Sequence, residues 1–324
     1  MRFKIFLKNF VAFRKAFAKS VVIYAGAAVA VHEVIQWIID SPSTNEFCQS
    51  RSFLGISLYD YLNAPWLYLI AVVLLSLITQ IGFTRFSEKI RNGTNCEIEI
   101  SMNDIFCNKG QVIIPCNNIF ASEFAVIGNS SIQAQMIKRI HQGKNSPSPE
   151  QYIADKISEK LALPEYAQCE VPGKLQSVNG RDFKVYEYGT LIPLTVNVDK
   201  KERDILLLAM SEISSPGVPV VDRATLLSNI DKMWAYIAAH HTDNDTIVVP
   251  VMGTGATRTP MEKQIVARYI LYSFAENSRR LGLRKLILSV YPGDYVNNSI
   301  NLAELKEYAS FLCRYPNSDF KIIE

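Results

Sequence analysis

The chain has 324 residues, enough for one sizeable domain and an accessory segment, and 34 Lys and Arg against 31 Asp and Glu leave a formal net charge of +3. So small an excess, with no long basic stripe, argues against a nucleic-acid partner. Six cysteines (Cys48, Cys96, Cys107, Cys116, Cys169, Cys313) form no CxxC pair, and they and the four histidines have no zinc spacing, so reduced thiols and no metal or other cofactor are expected.

The apolar content is concentrated before residue 84. An N-terminal arm carries Arg2, Lys4, Lys8, Arg14, Lys15 and Lys19 without an acid. Ser20 to Ile39 (SVVIYAGAAVAVHEVIQWII) and Pro65 to Phe83 (PWLYLIAVVLLSLITQIGF) each suffice, at ~1.5 Å per residue, to span a hydrocarbon core of about 30 Å. A cleaved signal peptide competes for the first segment, but its apolar run continues past AGAAVA and a second apolar segment follows. Arg85, Lys89 and Arg91 follow the second segment, whereas the loop between the two holds only Arg51 as a base. The bias puts both flanks in the cytoplasm, and Trp37 and Trp66 then share the outer interface. His32 and Glu33 are costly in hydrocarbon. They either sit near the outer end and reach water, or line a polar path or an oligomer seam beside Gly26 and Ala30. The expected division is residues 1–92 for the arm and a two-helix transmembrane hairpin (about 20–39 and 65–83) and 93–324 for a cytoplasmic domain.

In the soluble part, Cys96 to Ser101 alternates as a strand and Gln111 to Cys116 reads as a buried strand. Helical spacing follows over Ser130 to Gln142 and from Glu150 to Leu161, with strand material in Lys184 to Val198. Lys201 to Ile213 is expected to be helical, as is Arg223 to His240. Asp245 to Met252 is a central strand, Thr259 to Leu281 a helix with Pro260 near its first turn, Lys285 to Tyr291 a strand and Leu302 to Leu312 a helix. Such alternation predicts an α/β domain with a mixed or parallel sheet covered on both faces.

The most informative stretch is Val248 to Pro260, VVPVMGTGATRTP, in which a buried strand runs through a glycine-bearing loop into a helix start. Gly253 and Gly255 allow close backbone approach, so that N–H groups from Gly253, Thr254, Gly255, Ala256 and Thr257 can face an anion, with Arg258 adding charge. The segment is either a phosphate site at a helix N-terminus or merely a turn, and it is neither a Walker sequence nor a GxGxxG fingerprint. His240-His241 with Asp243 and Asp245 needs no metal, since cations suit a helix C-terminus.

This loop resembles the second phosphate-gripping loop of macro domains, the ADP-ribose-binding modules, and two earlier segments fall in matching order. Asn103-Asp104-Ile105-Phe106 is similar to the Gly-Asp-Ile-Thr turn, whose Asp accepts a hydrogen bond from the adenine amino group; the resemblance gives that role to Asp104, beside Ile105. Ile113 to Asn118 (IIPCNN) is similar to the Ile-Val-Asn-Ala-Ala-Asn strand end, which implies Asn117 and Asn118 near the distal ribose. Gly128 to Ile132, with Ser130 and Ser131, stands where a glycine-rich loop wraps the diphosphate. The resemblance covers roughly residues 96–315 and implies a three-layer α/β/α mixed sheet. Pro115 replaces the first Asn and the triple-glycine loop of hydrolytic members is absent, departures that favour a binding module over a hydrolase.

A two-span hairpin followed by a divergent macro domain is similar to the transmembrane–macro effectors of Thoeris antiphage systems. The resemblance implies a bacterial inner-membrane protein that self-associates in the bilayer. It also implies a TIR-domain partner that makes an ADP-ribose derivative, such as a histidine-linked ADP-ribose. That signal would bind the macro domain and activate the membrane segment to disrupt the membrane. A membrane-tethered ADP-ribosyl or nucleotide hydrolase and a ligand-independent membrane scaffold are the alternatives.

Overall fold

The computed structural model describes residues 10–53, 56–91, 95–140, 147–214, 218–240, 246–252 and 261–315. The chain divides into two compact units, Met1–Arg85 and Phe86–Glu324.

In the first unit a long helix α1 (Phe10–Ile39) is followed by α2 (Pro42–Ser50), a two-residue antiparallel pair β1 (Ser52–Phe53) and β2 (Ile56–Ser57), α3 (Leu58–Asn63) and α4 (Pro65–Phe83). Pro42 and Pro65 each open a helix, where a missing N–H removes no intrahelical bond. The Tyr24 hydroxyl lies 2.7 Å from Thr79 Oγ1, and the His32 ring meets Tyr68 edge-on at 4.8 Å, which fixes α1 beside α4. Gln36 donates to Asn63, and Tyr68 donates to the Leu62 carbonyl at 2.8 Å. Most of the remaining helix surface is apolar and exposed, including Val22, Ile23, Val34 and Trp37 on α1 and Trp66, Leu69, Leu74 and Ile78 on α4. His32 faces the α1–α4 seam with its Nδ1 buried and unpartnered, whereas Glu33 is exposed on the outer side. Among the described residues one helix, Phe17–Ile39, is long and apolar enough to cross a membrane, with a mean hydropathy of 1.6; Pro65–Thr79 is apolar but shorter.

The second unit begins with β3 (Arg85–Lys89) and β4 (Glu97–Met102), then a 3-10 turn (Ile105–Cys107) and β5 (Gln111–Asn117). Helices α5 (Phe124–Ile127), α6 (Ile132–Lys138), α7 (Pro149–Leu161) and α8 (Pro164–Ala167) lead to the hairpin of β6 (Glu170–Val178) and β7 (Arg181–Tyr186). There follow β8 (Leu191–Val198), β9 (Lys201–Ser214), β10 (Val218–Val220), α9 (Arg223–Ala239) and β11 (Thr246–Pro250). The described chain closes with α10 (Lys263–Leu281), β12 (Lys285–Val290), α11 (Pro292–Val296) and α12 (Leu302–Arg314).

Eight strands make one mixed sheet in the order β10-β9-β5-β11-β12-β4-β3, with β8 paired to β9 off that path. The five strands β9, β5, β11, β12 and β4 run parallel, while β8 and β10 are antiparallel to β9. One face of the sheet (Val112, Ile114, Ile205, Leu207) packs with Met136, Ile137, Ile153 and Ile157 of α6 and α7. The alternate residues Ile113, Leu206, Leu208, Leu286 and Leu288 point the other way and are equally buried. Burial on both faces is what keeps these strands apolar throughout. On the helical side, α9 packs against α10, where the Trp234 and Phe274 rings lie 5.5 Å apart and the indole donates to Ser273 Oγ at 2.9 Å.

Two expectations are corrected. Lys201 to Ser214 is the strand β9, not a helix. Ile205 to Met210 are six consecutive residues at 1% exposure or less, buried between β5 and β8, and such a run carries no period that separates buried strand from buried helix. The helix expected from Thr259 starts at Lys263, because Glu262 is extended (φ −66°, ψ 141°) and stands as its N-cap. Pro260 lies outside the described residues.

Candidate functional site

The topology creates one crevice before any side chain is considered. From β5 the chain moves to its neighbour β9, whereas from β11 it moves the opposite way to β12. The connections therefore diverge between β5 and β11, and open parallel sheets leave room for a ligand beyond the carboxyl ends of strands at such a switch point.

Asn117 ends β5 and Asn118 follows it. Asn117 Oδ1 accepts the Ala121 N–H at 3.0 Å, closing a tight turn in which Phe120 adopts φ 51°. Asn118 donates its N–H to the Ser211 carbonyl at 2.8 Å and accepts the Tyr186 N–H at 2.8 Å, so its backbone extends the sheet. The side chain is different: at 2% exposure, its Oδ1 has no hydrogen-bond partner among the described residues. The turn is wedged from behind by Gln133, which donates to the Ala121 carbonyl, and by Glu150, which accepts the Phe124 N–H at 2.7 Å.

Beyond this turn, Gly128 takes φ 71° and ends α5; Ser130 is exposed, and Ser131 caps α6 by accepting the Ala134 N–H at 3.0 Å. Across the crevice, β11 leads through Val251 and the buried Met252 to Gly253, Thr254, Gly255, Ala256, Thr257 and Arg258, which lie outside the described residues. Tyr291, at the carboxyl end of β12, is 67% exposed, a large ring left open on the same edge. The expected strand Lys285 to Tyr291 includes it, whereas β12 ends at Val290.

Asp104 is engaged elsewhere. Its carboxylate takes a two-pronged contact from Arg139, Nη1 to Oδ1 at 3.0 Å and Nη2 to Oδ2 at 2.8 Å, and caps the 3-10 turn through the Phe106 N–H. The same Nη2 lies 3.0 Å from Asp199 in the β8–β9 turn, and the guanidinium sits 5.0 Å over the Phe106 ring. Because β9 is parallel to β5, that turn lies at the amino-terminal edge of the parallel strands. Lys201 and Ser211 are about 33 Å apart along β9 at the usual rise. The structure thus groups Asn117, Asn118, Ser130, Ser131 and the start of the β11 loop around the carboxyl ends of β5 and β11, while Asp104, two residues past the carboxyl end of β4, has its carboxylate held by Arg139. Ile105 is buried in the core beside Phe106.

A second polar cluster secures the β4–β5 crossover. Ser101 donates to Asn108 at 3.2 Å, Ser289 donates to the Asn103 carbonyl at 3.1 Å, and Arg203 spans the carbonyls of Phe106 and Asn108 at 2.8 and 3.0 Å. Nearby, burial pushes the Cys116 thiol well above its ordinary range, which keeps it protonated. His240 ends α9, its Nδ1 2.9 Å from the Tyr236 carbonyl, while His241, Asp243 and Asp245 lie outside the described residues. Among the described residues no group of three or more His, Cys, Asp or Glu side chains could hold a metal.

Comparison with known proteins bears on this architecture. The chain is similar to the macrodomain of Oceanobacillus iheyensis solved with ADP, at 14% identity and a TM-score of 0.42 over 69% of this chain and 96% of that one. The same macrodomain with MES bound gives 14%, 0.42, 69% and 97% in the same order, and a variant of it solved with ADPR gives 13%, 0.42, 69% and 97%. No curated protein matches. The model of the family described as "Thoeris protein ThsA, Macro domain" matches residues 98–290, from β4 to the end of β12. That stretch is more than half of the chain and carries every strand of the parallel set, and the chain belongs to the Thoeris ThsA macro-domain family.

Proposed function

We propose that the crevice between β5 and β11 binds an ADP-ribose derivative, and that binding activates the membrane segment in antiphage defence. Family membership supports the ligand class, and the carrying observation is Asn118. A buried amide oxygen without a partner costs about 1–3 kcal/mol, and a ribose hydroxyl donated to it would offset that cost. In this reading Asn117 shapes the turn, and Ser130, Ser131 and Gly253 to Arg258 hold the diphosphate. The exposed Tyr291 ring offers a stacking surface for the base, an interaction worth about 1–3 kcal/mol. Asp104 and Ile105 would serve the adenine only in an arrangement that frees Asp104 from Arg139.

The membrane part of the proposal rests on Phe17–Ile39 and on the uncharged Pro65 to Phe83 as two spans of a cytoplasmically oriented inner-membrane protein, with residues 93–324 as the cytoplasmic domain. His32 in the α1–α4 seam and the outward Glu33 would then meet a polar path or a second copy. A signal made by a TIR-domain partner, such as histidine-linked ADP-ribose, would favour an associated state only through its differential affinity for the two states.

The test uses the full chain in dye-loaded vesicles, with ADP-ribose and histidine-linked ADP-ribose added and the nucleotide recovered afterwards. Dye release with the ligand recovered intact supports a ligand-gated effector. Turnover without release supports the hydrolase instead, and neither response to either compound contradicts the proposal.

A further inference from the structure

A cavity of about 280 Å³ lies outside the crevice described above. It opens beyond β9, where the β7–β8 connection passes between α8 and the last turn of α9. Leu191, on its floor, pairs with Leu208 of β9, so the cavity belongs to the β8 edge of the sheet rather than to the β5–β11 divergence.

Three tyrosines line it: Tyr166, Tyr188 and Tyr236. Tyr166 is 4% exposed, and its hydroxyl neighbours that of Tyr236 without closing a well-formed hydrogen bond to it. Burial raises this phenol most, followed by Tyr236 through charge and hydrogen bonding and then by Glu165 and Cys169; all three residues line the cavity. Burial, with Glu212 behind it, pushes the Tyr188 phenol up to about 12, and burial raises Tyr236 as well, so the rings stay neutral.

The charges around the rings are unequal. Glu165 and Glu187 both line the cavity, and neither carboxylate makes an ion pair or hydrogen bond with a described residue. The cation there, Lys232, is turned to the Tyr188 carbonyl at 2.9 Å. Its stem lies so close to Gly189 that a Cβ at that position would stand 2.5 Å from Lys232 Cδ. Neutral aromatic faces with unpaired carboxylates at the rim attract a cation and disfavour an anion.

We propose that this cavity is a second small-molecule site that takes a small organic cation, an alkylammonium or guanidinium head, between the tyrosines with Glu165 and Glu187 as its counter-charges. This does not depend on what the β5–β11 crevice binds.

The test is calorimetric titration of the full chain in neutral detergent with choline and with agmatine as probe cations and inorganic phosphate as the probe anion. The expected result is that at least one cation binds with a Kd of about 1 mM or tighter and that phosphate does not. Glu165→Gln combined with Glu187→Gln should weaken the cation by about tenfold or more; both residues are exposed, so the fold has no reason to change. Tyr236→Leu should weaken it too, with the thermal midpoint checked for folding. Binding of neither cation, equal binding to the carboxamide variant, or binding of phosphate in place of the cations would overturn the proposal.

Discussion

Asp104 is the residue on which resemblance and geometry diverge, and a double-mutant cycle with Arg139 separates the two. The pair is bidentate at 2.8 and 3.0 Å, with side-chain exposures of 26% and 24%. That lies between an exposed pair, worth about 0–1 kcal/mol, and a buried one, whose breakage costs about 3–5 kcal/mol, so a coupling of about 1–2 kcal/mol is expected. Asp104→Ala also removes the acceptor for the Phe106 N–H, worth about 1 kcal/mol as a cap. Arg139→Ala loses in addition the contact with Asp199 and the stacking over Phe106, the latter about 0.5–1 kcal/mol. Each single variant should therefore lose about 2–3 kcal/mol, and the double variant about 1–2 kcal/mol less than the sum. Urea unfolding of the full chain in detergent, followed by tryptophan emission, measures all four corners. As a clamp, Asp104 should also leave ADP-ribose affinity within about threefold when replaced by Ala. Additive single losses, with a marked fall in affinity, would refute the clamp and return Asp104 to the adenine.

The other predictions concern stability. Lys285 pairs with the half-buried Glu97 at 2.8 Å and with Glu99, 1% exposed, at 2.6 Å; Lys285→Met should cost about 3–5 kcal/mol by removing the cation paired with that buried carboxylate, and a change below about 1 kcal/mol would contradict it. Asp222 caps α9, and its bonds to Thr225, hydroxyl first and then N–H, hold its carboxyl below the ordinary 3.8. A depressed folded value means that the cap contributes above about 3.8 and is lost as pH falls through the lower folded value. The midpoint difference between wild type and Asp222→Asn should accordingly be largest near neutrality and shrink as pH falls below 3.8, and a difference independent of pH would contradict it.

How far the sequence carried depends on what each residue's conformation answers to. β5, β11 and β12 were legible because short apolar runs bounded by turn residues have few alternatives. β9 was not, since a strand with both faces buried loses the alternation that would have identified it. The β6–β7 hairpin carries a local signal: Asn179-Gly180, at φ 52° and 76°, is the two-residue turn whose twist matches paired strands. In the candidate site, Asn117 and Asn118 were readable as the polar end of a buried strand. Arg139 was not, because its partners lie 35 and 60 residues away and are chosen by the crossing of β4–β5 over the sheet. Tyr291 needed the end of β12 to be known before its ring could be placed on an open edge.

The most direct test of the central claim is titration of ADP-ribose into the full chain in detergent, wild type against Asn118→Ala, with unfolding of both free proteins measured alongside. Among the described residues Asn118 Oδ1 has no hydrogen-bond partner, so its removal should leave stability within about 1 kcal/mol while weakening ADP-ribose by about tenfold or more. Equal affinity in the two proteins, or no binding by the wild type, would contradict the assignment of the β5–β11 crevice as the ligand site.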